Sequence, residues 1–235
     1  DRAPNPWSDI PLADVVWVAG SNVAETFPIT TSYIWRARDR GARLIVQDPR
    51  VVPLARTADL FLPVRPGSDA ALFGAVLHQL IRNDWLDHEF IDAHTVDFDQ
   101  AAAAVADMTP TWAAEITGVP AEQIITIARE FAANAEATNG KSMVILGAGL
   151  NHWYHMDMNY RGIINLLVMC GCVGQSGGGW SHYVGQEKLR PQTGWTALAF
   201  ALDWSRPPRQ MNSTSFFYAH TDQWRYETLV VSEIL

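Results

Sequence analysis

Four short polar clusters carry the chemistry that this chain can offer. Gly20-Ser21-Asn22, Asp48-Pro49-Arg50 and Pro66-Gly67-Ser68-Asp69 each combine turn formers with a group that accepts or donates hydrogen bonds, and Gly147-Ala148-Gly149-Leu150-Asn151 repeats the pattern later. A Gly-Ser-Asn turn lets backbone approach a phosphate, and the N-terminus of a following helix adds positive potential there. Asp48 is placed to accept from ribose hydroxyls or a base edge. Asp69 can take the exocyclic amine and ring N–H of guanine, while Ser68 serves as an N-cap. A polar stretch from Gly178 to Trp195 sets Trp180, His182, Tyr183, Gln186, Lys188 and Arg190 close together, which reads as a wall of donors and aromatic planes around a large polar ligand. His152 and His155 have metal-ligand spacing, but no third ligand follows at a suitable interval. Cys170 and Cys172 read as small buried thiols.

The elements that must position these clusters follow from periodicity. Asp14–Ala19, Arg43–Gln47, Leu60–Val64 and Ser142–Leu146 are short apolar runs, each ending just before one of the clusters, and read as buried parallel strands. Pro63 puts the third at an edge or a strand end. Helices are expected over 30–40, 68–83, 86–94, a short Ala-rich stretch, 110–118, 121–137 and 156–172. Residues after Trp180 read as irregular. Strands alternating with helices give an α/β fold with a mainly parallel, Rossmann-like sheet, flanking helices and an irregular C-terminal funnel segment. The expected division is a dinucleotide-binding part over 1–140 and a second cofactor-binding part over 141–235. Ligands of such sheets sit beyond the carboxyl ends of the strands, where strand order reverses. The turns after the first and fourth strands are expected side by side there. The Gly-x-Gly-x-x-Gly pattern is absent, so nicotinamide is not indicated.

Composition excludes several alternatives. A net charge of −8 with interspersed signs argues against a nucleic-acid backbone partner. Two cysteines leave no disulfide framework and no four-cysteine cluster within these residues. Apolar runs such as 163–172 are far shorter than the ~20 residues of a direct membrane span. The chain begins at Asp1 rather than Met and stops at Ile234-Leu235, so it reads as an internal piece of a longer protein.

Taken in order, the Gly-Ser-Asn, Asp-Pro-Arg and Pro-Gly-Ser-Asp turns resemble those of the bis-molybdopterin guanine dinucleotide oxidoreductases, the dimethyl-sulfoxide-reductase family, which has Thr where Ser68 stands here. From Lys141 onward, Gly147–His155, Cys170–Trp180, Tyr183–Trp195, Met211–Ser215 and Gln223–Glu227 resemble the nitrate-reductase members of that family. The short link between residues 98 and 107 is more like its compact formate-dehydrogenase members. The resemblance implies cofactor contacts from Gly20, Ser21, Asn22, Glu25, Asp48, Arg50, Gly67, Ser68, Asp69, Gly147, Ala148, Leu150, Asn151, His152, Gly185 and Gln186. It implies bis-molybdopterin guanine dinucleotide with molybdenum, and a four-iron cluster in an upstream part. The metal ligand is not among these residues, and no catalytic residue is assigned. Expected partners are nitrate or a similar small oxyanion, an iron–sulfur beta subunit and a membrane haem subunit, which would hold the enzyme at the cytoplasmic face. The alternatives are a relative acting on formate, selenate, chlorate or nitrite, or a non-catalytic guanine-nucleotide-binding module.

Overall fold

In the computed structural model, which describes residues 5–153 and 156–182, five strands form: β1 at Val15–Ala19, β2 at Arg43–Gln47, β3 at Leu60–Leu62, β4 at Ser142–Leu146 and β5 at Gly179–His182. They make one sheet, parallel throughout, ordered β3-β2-β1-β4-β5. Every residue of β1 and β4 is buried, as an unbroken apolar run requires when both faces are covered. Ala19 stands level with Gln47 on one side and Leu146 on the other, so the turns that follow these strands emerge at one height. The two parts expected on either side of residue 140 share this sheet, because β4 pairs with β1.

The helices are α1 (Val23–Thr26), α2 (Pro28–Asp39), α3 (Asp69–Arg82), α4 (His88–His94), α5 (Phe98–Ala104), α6 (Pro110–Thr117), α7 (Ala121–Thr138) and α8 (Met156–Met169). Alternation along each strand divides the core into two layers. Trp17, Ile45, Val144 and Leu146 pack with Phe73, Ala113, Phe131 and Leu166 from α3, α6, α7 and α8. Val16, Val18, Leu44 and Ile145 pack with Ile34 of α2 and with Ile10 and Leu54 from two 3-10 turns. Right-handed crossovers explain the split: β1 to β2 to β3 steps one way across the sheet, and β3 to β4 to β5 steps back. Trp17, Phe73 and Phe131 are fully buried; truncating any of them to Ala costs about 3–5 kcal/mol.

Local chemistry sets the element ends. α4 starts two residues later than the sequence suggests, because the Asp87 carboxylate accepts from Phe90 N at 2.9 Å and so defines the N-cap. α8 stops at Met169 rather than Cys172. Gly171 takes a left-handed turn there (φ 63°), and Cys172 N donates back to Leu167 O at 2.8 Å. Three readings need correction. Ser68 occupies the N-cap position of α3, but its hydroxyl donates to Arg65 O at 2.7 Å and does not cap the helix. α1 has no counterpart among the expected helices. The chain beyond Trp180 is not irregular at its start, since 179–182 form β5. In β5 the buried positions are Gly179 and Ser181, which give no apolar run to read. Its edge is lined by the chain's beginning: Asn5 N donates to Trp180 O at 3.4 Å and Trp7 Nε1 to His182 O at 3.3 Å.

Candidate functional site

β1 leads outward to β2 on one side, while β4, its neighbour on the other side, is reached only through β3. The reversal of strand order therefore falls between β1 and β4, where an open α/β sheet leaves a crevice. The two turns that follow these strands interlock. Gly147 N donates to Ala19 O and Gly149 N to Gly20 O, both at 3.0 Å. A Cβ at Gly147 would run into Gly20 O and the Ser21 side chain, so only glycine permits the approach. The sequence expectation of side-by-side turns is met.

Above these turns lies a cleft of about 310 Å³. Its walls are residues 20–22 after β1, 48–50 after β2, Pro66 and Asp69 after β3, and 147–149 after β4. Each wall segment lies in the turn that follows a strand, and part of its backbone is already used: Gly20 N donates to Gln47 O at 2.9 Å and Asp48 N to Leu62 O at 3.3 Å. α3 begins at Asp69, which adds the positive end of a long helix to the floor.

Asp69 is the electrostatic centre of the cleft. Only 5% of it is exposed, and burial pushes its carboxyl above the ordinary carboxylate range; Asp48 nearby adds to this, while a hydrogen bond from Gln47 opposes it. Gln47 Nε2 donates to Asp69 Oδ1 at 2.5 Å, and Gln47 Oε1 accepts from Trp17 Nε1 at 3.1 Å. Asp48 Oδ1 accepts from Arg50 N at 2.8 Å, closing a tight turn that holds the second carboxylate at the rim. Asn22 donates to Glu25 Oε2 at 2.5 Å, which leaves Asn22 Oδ1 buried without a partner, and Asn151 Oδ1 is in the same condition. Such atoms normally find partners, in protein or in a ligand.

Eight residues expected at a cofactor line this cleft: Gly20, Ser21, Asn22, Asp48, Arg50, Asp69, Gly147 and Ala148. The others described do not. Glu25 is exposed and reaches the wall only through Asn22; Gly67 and Ser68 lie in the turn beside Asp69; Leu150 is fully buried beneath Gly20. Asn151 and His152 follow the β4 turn outside the wall, and His152 is exposed. Gly185, Gln186, His155, Lys188 and Arg190 lie outside the described residues.

Sequence reading missed Gln47 and Trp153. Gln47 reads as the last residue of a strand, and its burial depends on partners from β1 and α3. Trp153 lies over Gly67, and its Nε1 donates to Gly149 O at 2.8 Å, which joins the β3 and β4 turns across the cleft. The spacing Asn151-His-Trp153 could have pointed to it as an aromatic wall. Cys170 and Cys172 are buried and unpaired. Burial pushes both thiols up, Cys172 to about 12, so neither supplies a thiolate. Among the described residues no three His, Cys, Asp or Glu side chains converge as a metal site, and no helix is long and apolar enough to cross a membrane.

A parallel sheet with a cleft walled by strand-end turns at its switch point defines an open α/β protein. The chain belongs to the molybdopterin oxidoreductase family, whose model matches residues 3–223, and the family carries a molybdenum–pterin cofactor. Among its relatives, the respiratory nitrate reductase 2 alpha chain of Escherichia coli (strain K12) is 71% identical over 133 residues, 57% of this chain and 11% of that protein. The nitrate reductase alpha subunit of Mycobacterium tuberculosis (strain ATCC 25618 / H37Rv) is 58% identical over 51% of this chain and 10% of that one. The F420-dependent formate dehydrogenase subunit alpha of Methanocaldococcus jannaschii is 33% identical over 79% of this chain and 27% of that protein. In structure, the acetylene hydratase of Pelobacter acetylenicus matches with TM-score 0.63 and 27% identity over 68% of this chain and 22% of that one. The chain thus spans about a tenth of the nitrate reductase relatives. The cleft's lining fits such a cofactor: an acceptor carboxylate at its floor, the unpartnered Asn22 amide oxygen on its wall and glycines that permit close approach.

Proposed function

We propose that this chain is the central cofactor-binding segment of a nitrate reductase catalytic subunit, and that its cleft holds the guanine half of a molybdopterin guanine dinucleotide. The observation that carries this reading is the convergence of four strand-end turns on one cleft with Asp69 at its floor. Guanine offers two adjacent donors, N1–H and the N2 amine, and a carboxylate accepts both. Ionised carboxylate acceptors make hydrogen bonds roughly twice as strong as neutral pairs. Asp48 is placed for ribose hydroxyls, and the Gly20-Ser21-Asn22 backbone for the diphosphate. Gly147 and Ala148 form the side of the cleft toward the pterin, and the family resemblance would add Leu150, Asn151, His152, Gly185 and Gln186 as further pterin contacts. The bound cofactor would supply two-electron oxygen-atom transfer, converting nitrate, two electrons and two protons to nitrite and water. This chain's residues bind and orient the cofactor, and Lys188 and Arg190 draw the anion toward it. A four-iron cluster upstream, an iron–sulfur beta subunit and a membrane haem subunit would deliver the electrons at the cytoplasmic face.

A second reading, an oxidoreductase acting on formate, draws support from the formate dehydrogenase match, which covers more of this chain than the nitrate reductase matches do. The full-length enzyme decides between them when assayed with nitrate and a reduced dye, and with formate and an oxidised one. Nitrite formation alone is the expected result; formate oxidation alone would overturn the nitrate assignment. In the same preparation, Asp69→Ala should lower acid-released guanine nucleotide per polypeptide by roughly tenfold or more, because a hydrogen bond to a charged group contributes about 1.5–3 kcal/mol. Unchanged guanine content would remove Asp69 from the base contact.

A further inference from the structure

Gln47 is fully buried at the carboxyl end of β2, and three elements meet on it. Its carbonyl accepts from Gly20 N at 2.9 Å, its Oε1 accepts from Trp17 Nε1 at 3.1 Å, and its Nε2 donates to Asp69 Oδ1 at 2.5 Å. A glutamine amide is two-faced, and its direction follows from its partners. Here only one direction works. Rotated by half a turn, the amide would set N–H against the indole N–H and its oxygen against the carboxylate. The indole cannot turn to accommodate that, because Phe73 and Phe131 pack on Trp17 with ring centroids at 5.1 and 6.1 Å, and all three are fully buried.

We infer that Gln47, locked by Trp17, is a positioning residue that fixes the plane of the Asp69 carboxylate as an acceptor-only group and so makes the cleft selective for a base edge with two adjacent donors. This rests on the guanine reading of the cleft. A carboxylate has about four lone-pair sites; Gln47 occupies one, the Asp69 backbone N–H engages another, and the others are left for the ligand. The Gln47 donor also stabilises the charged form in a place where burial disfavours it. A carboxyl group that took a proton would present one donor and one acceptor and would accept mixed edges as readily, and one free to rotate would lose the alignment that engages two donors at once. Base selection is thereby set by a strand residue behind the carboxylate and a core tryptophan behind that.

The test uses the full-length protein prepared without cofactor, with GMP and IMP as probes in equilibrium dialysis. IMP lacks the N2 amine, so the ratio of the two affinities reports the second donor. The wild type should favour GMP by about tenfold, the scale of one hydrogen bond to a charged group. Asp69→Ala should abolish the preference. Gln47→Met, which keeps length and volume, and Trp17→Phe, which keeps an aromatic ring but deletes the N–H, should each bring the ratio to within about twofold of unity. Thermal unfolding of the same samples shows which variants remain folded, and Trp17→Phe serves if Gln47→Met does not. A wild-type ratio retained in folded Gln47→Met or Trp17→Phe, with Asp69→Ala losing it, overturns the positioning role and leaves the guanine reading standing. A wild type indifferent to the two probes overturns both.

Discussion

Two hollows of similar size open at opposite ends of the sheet, and only one has the chemistry of a site. The cleft at the carboxyl ends of the strands measures about 310 Å³, and the hollow beside the amino end of β4 about 380 Å³. The second is lined by the α3–α4 loop, the second half of α7 and Cys170 just past α8, with Asp84, Asp87, His88, Arg129 and Glu136 around it. Its polar groups are occupied or solvated: Asp87 caps α4, and Asp84 pairs with His88 at 2.6 Å on the surface. None of its lining side chains carries a buried atom without a partner. The first cleft is walled by strand-end turns and floored by a buried carboxylate, with unpartnered amide oxygens close by. Volume therefore does not distinguish the two. Unused hydrogen-bonding capacity beside a buried charge does.

Substitutions at the two ends should differ accordingly. The largest effect is expected from Gly147→Val, whose side chain must push the β1 and β4 turns apart. Overpacking of this kind costs about 1–3 kcal/mol or more, and molybdenum per polypeptide in the full-length enzyme should fall at least about tenfold. Retained loading would show that the interlock of the turns does not shape the cleft.

Asp69→Asn should have a smaller effect of opposite sign on the cofactor-free protein. A carboxylate whose folded pKa is raised lends stability below its unfolded value of 3.8, and that stability is lost as pH rises through the folded value. The wild type therefore carries the cost of a buried charge at neutral pH, and asparagine removes it while still accepting from Gln47. Thermal midpoints at pH 7 should rank Asn above Asp, and the difference should close toward pH 3. With cofactor bound, the order should reverse.

At the other end, Asp87→Ala should cost about 1 kcal/mol through the lost cap of α4, with cofactor loading unchanged. Glu136→Ala, at an exposed position in the same hollow, should stay within about 0.5 kcal/mol. Loss of molybdenum from either variant would erase the contrast between the ends.

Much of this was legible in the sequence, and the exceptions share a cause. Four strands announce themselves as apolar runs because both faces of the sheet are covered, and the turns after them are marked by Gly, Pro, Asn and Asp. β5 was not legible, since its inward positions are Gly179 and Ser181. Eight cleft residues were found from turn chemistry together with the family resemblance, because each lies just past a strand end or at the start of the helix that follows. Gln47 was invisible for the converse reason: a glutamine in a strand is ordinary until the fold brings its amide within reach of the Trp17 indole from β1 and the Asp69 carboxylate from α3. Ser68 shows the limit of local patterns, as its hydroxyl turned to Arg65 O where sequence favoured a cap. Leu150 sits in a promising turn, yet its side chain was taken by the core.

The most direct test of the central claim is the structure of the full-length enzyme with its cofactor in place. The account predicts a guanine base at the floor of the carboxyl-end cleft, with N1 and N2 within hydrogen-bond distance of the Asp69 carboxylate and Gln47 still donating to Oδ1. A guanine lodged elsewhere, or a cleft filled by protein with Asp69 facing no base, would contradict it.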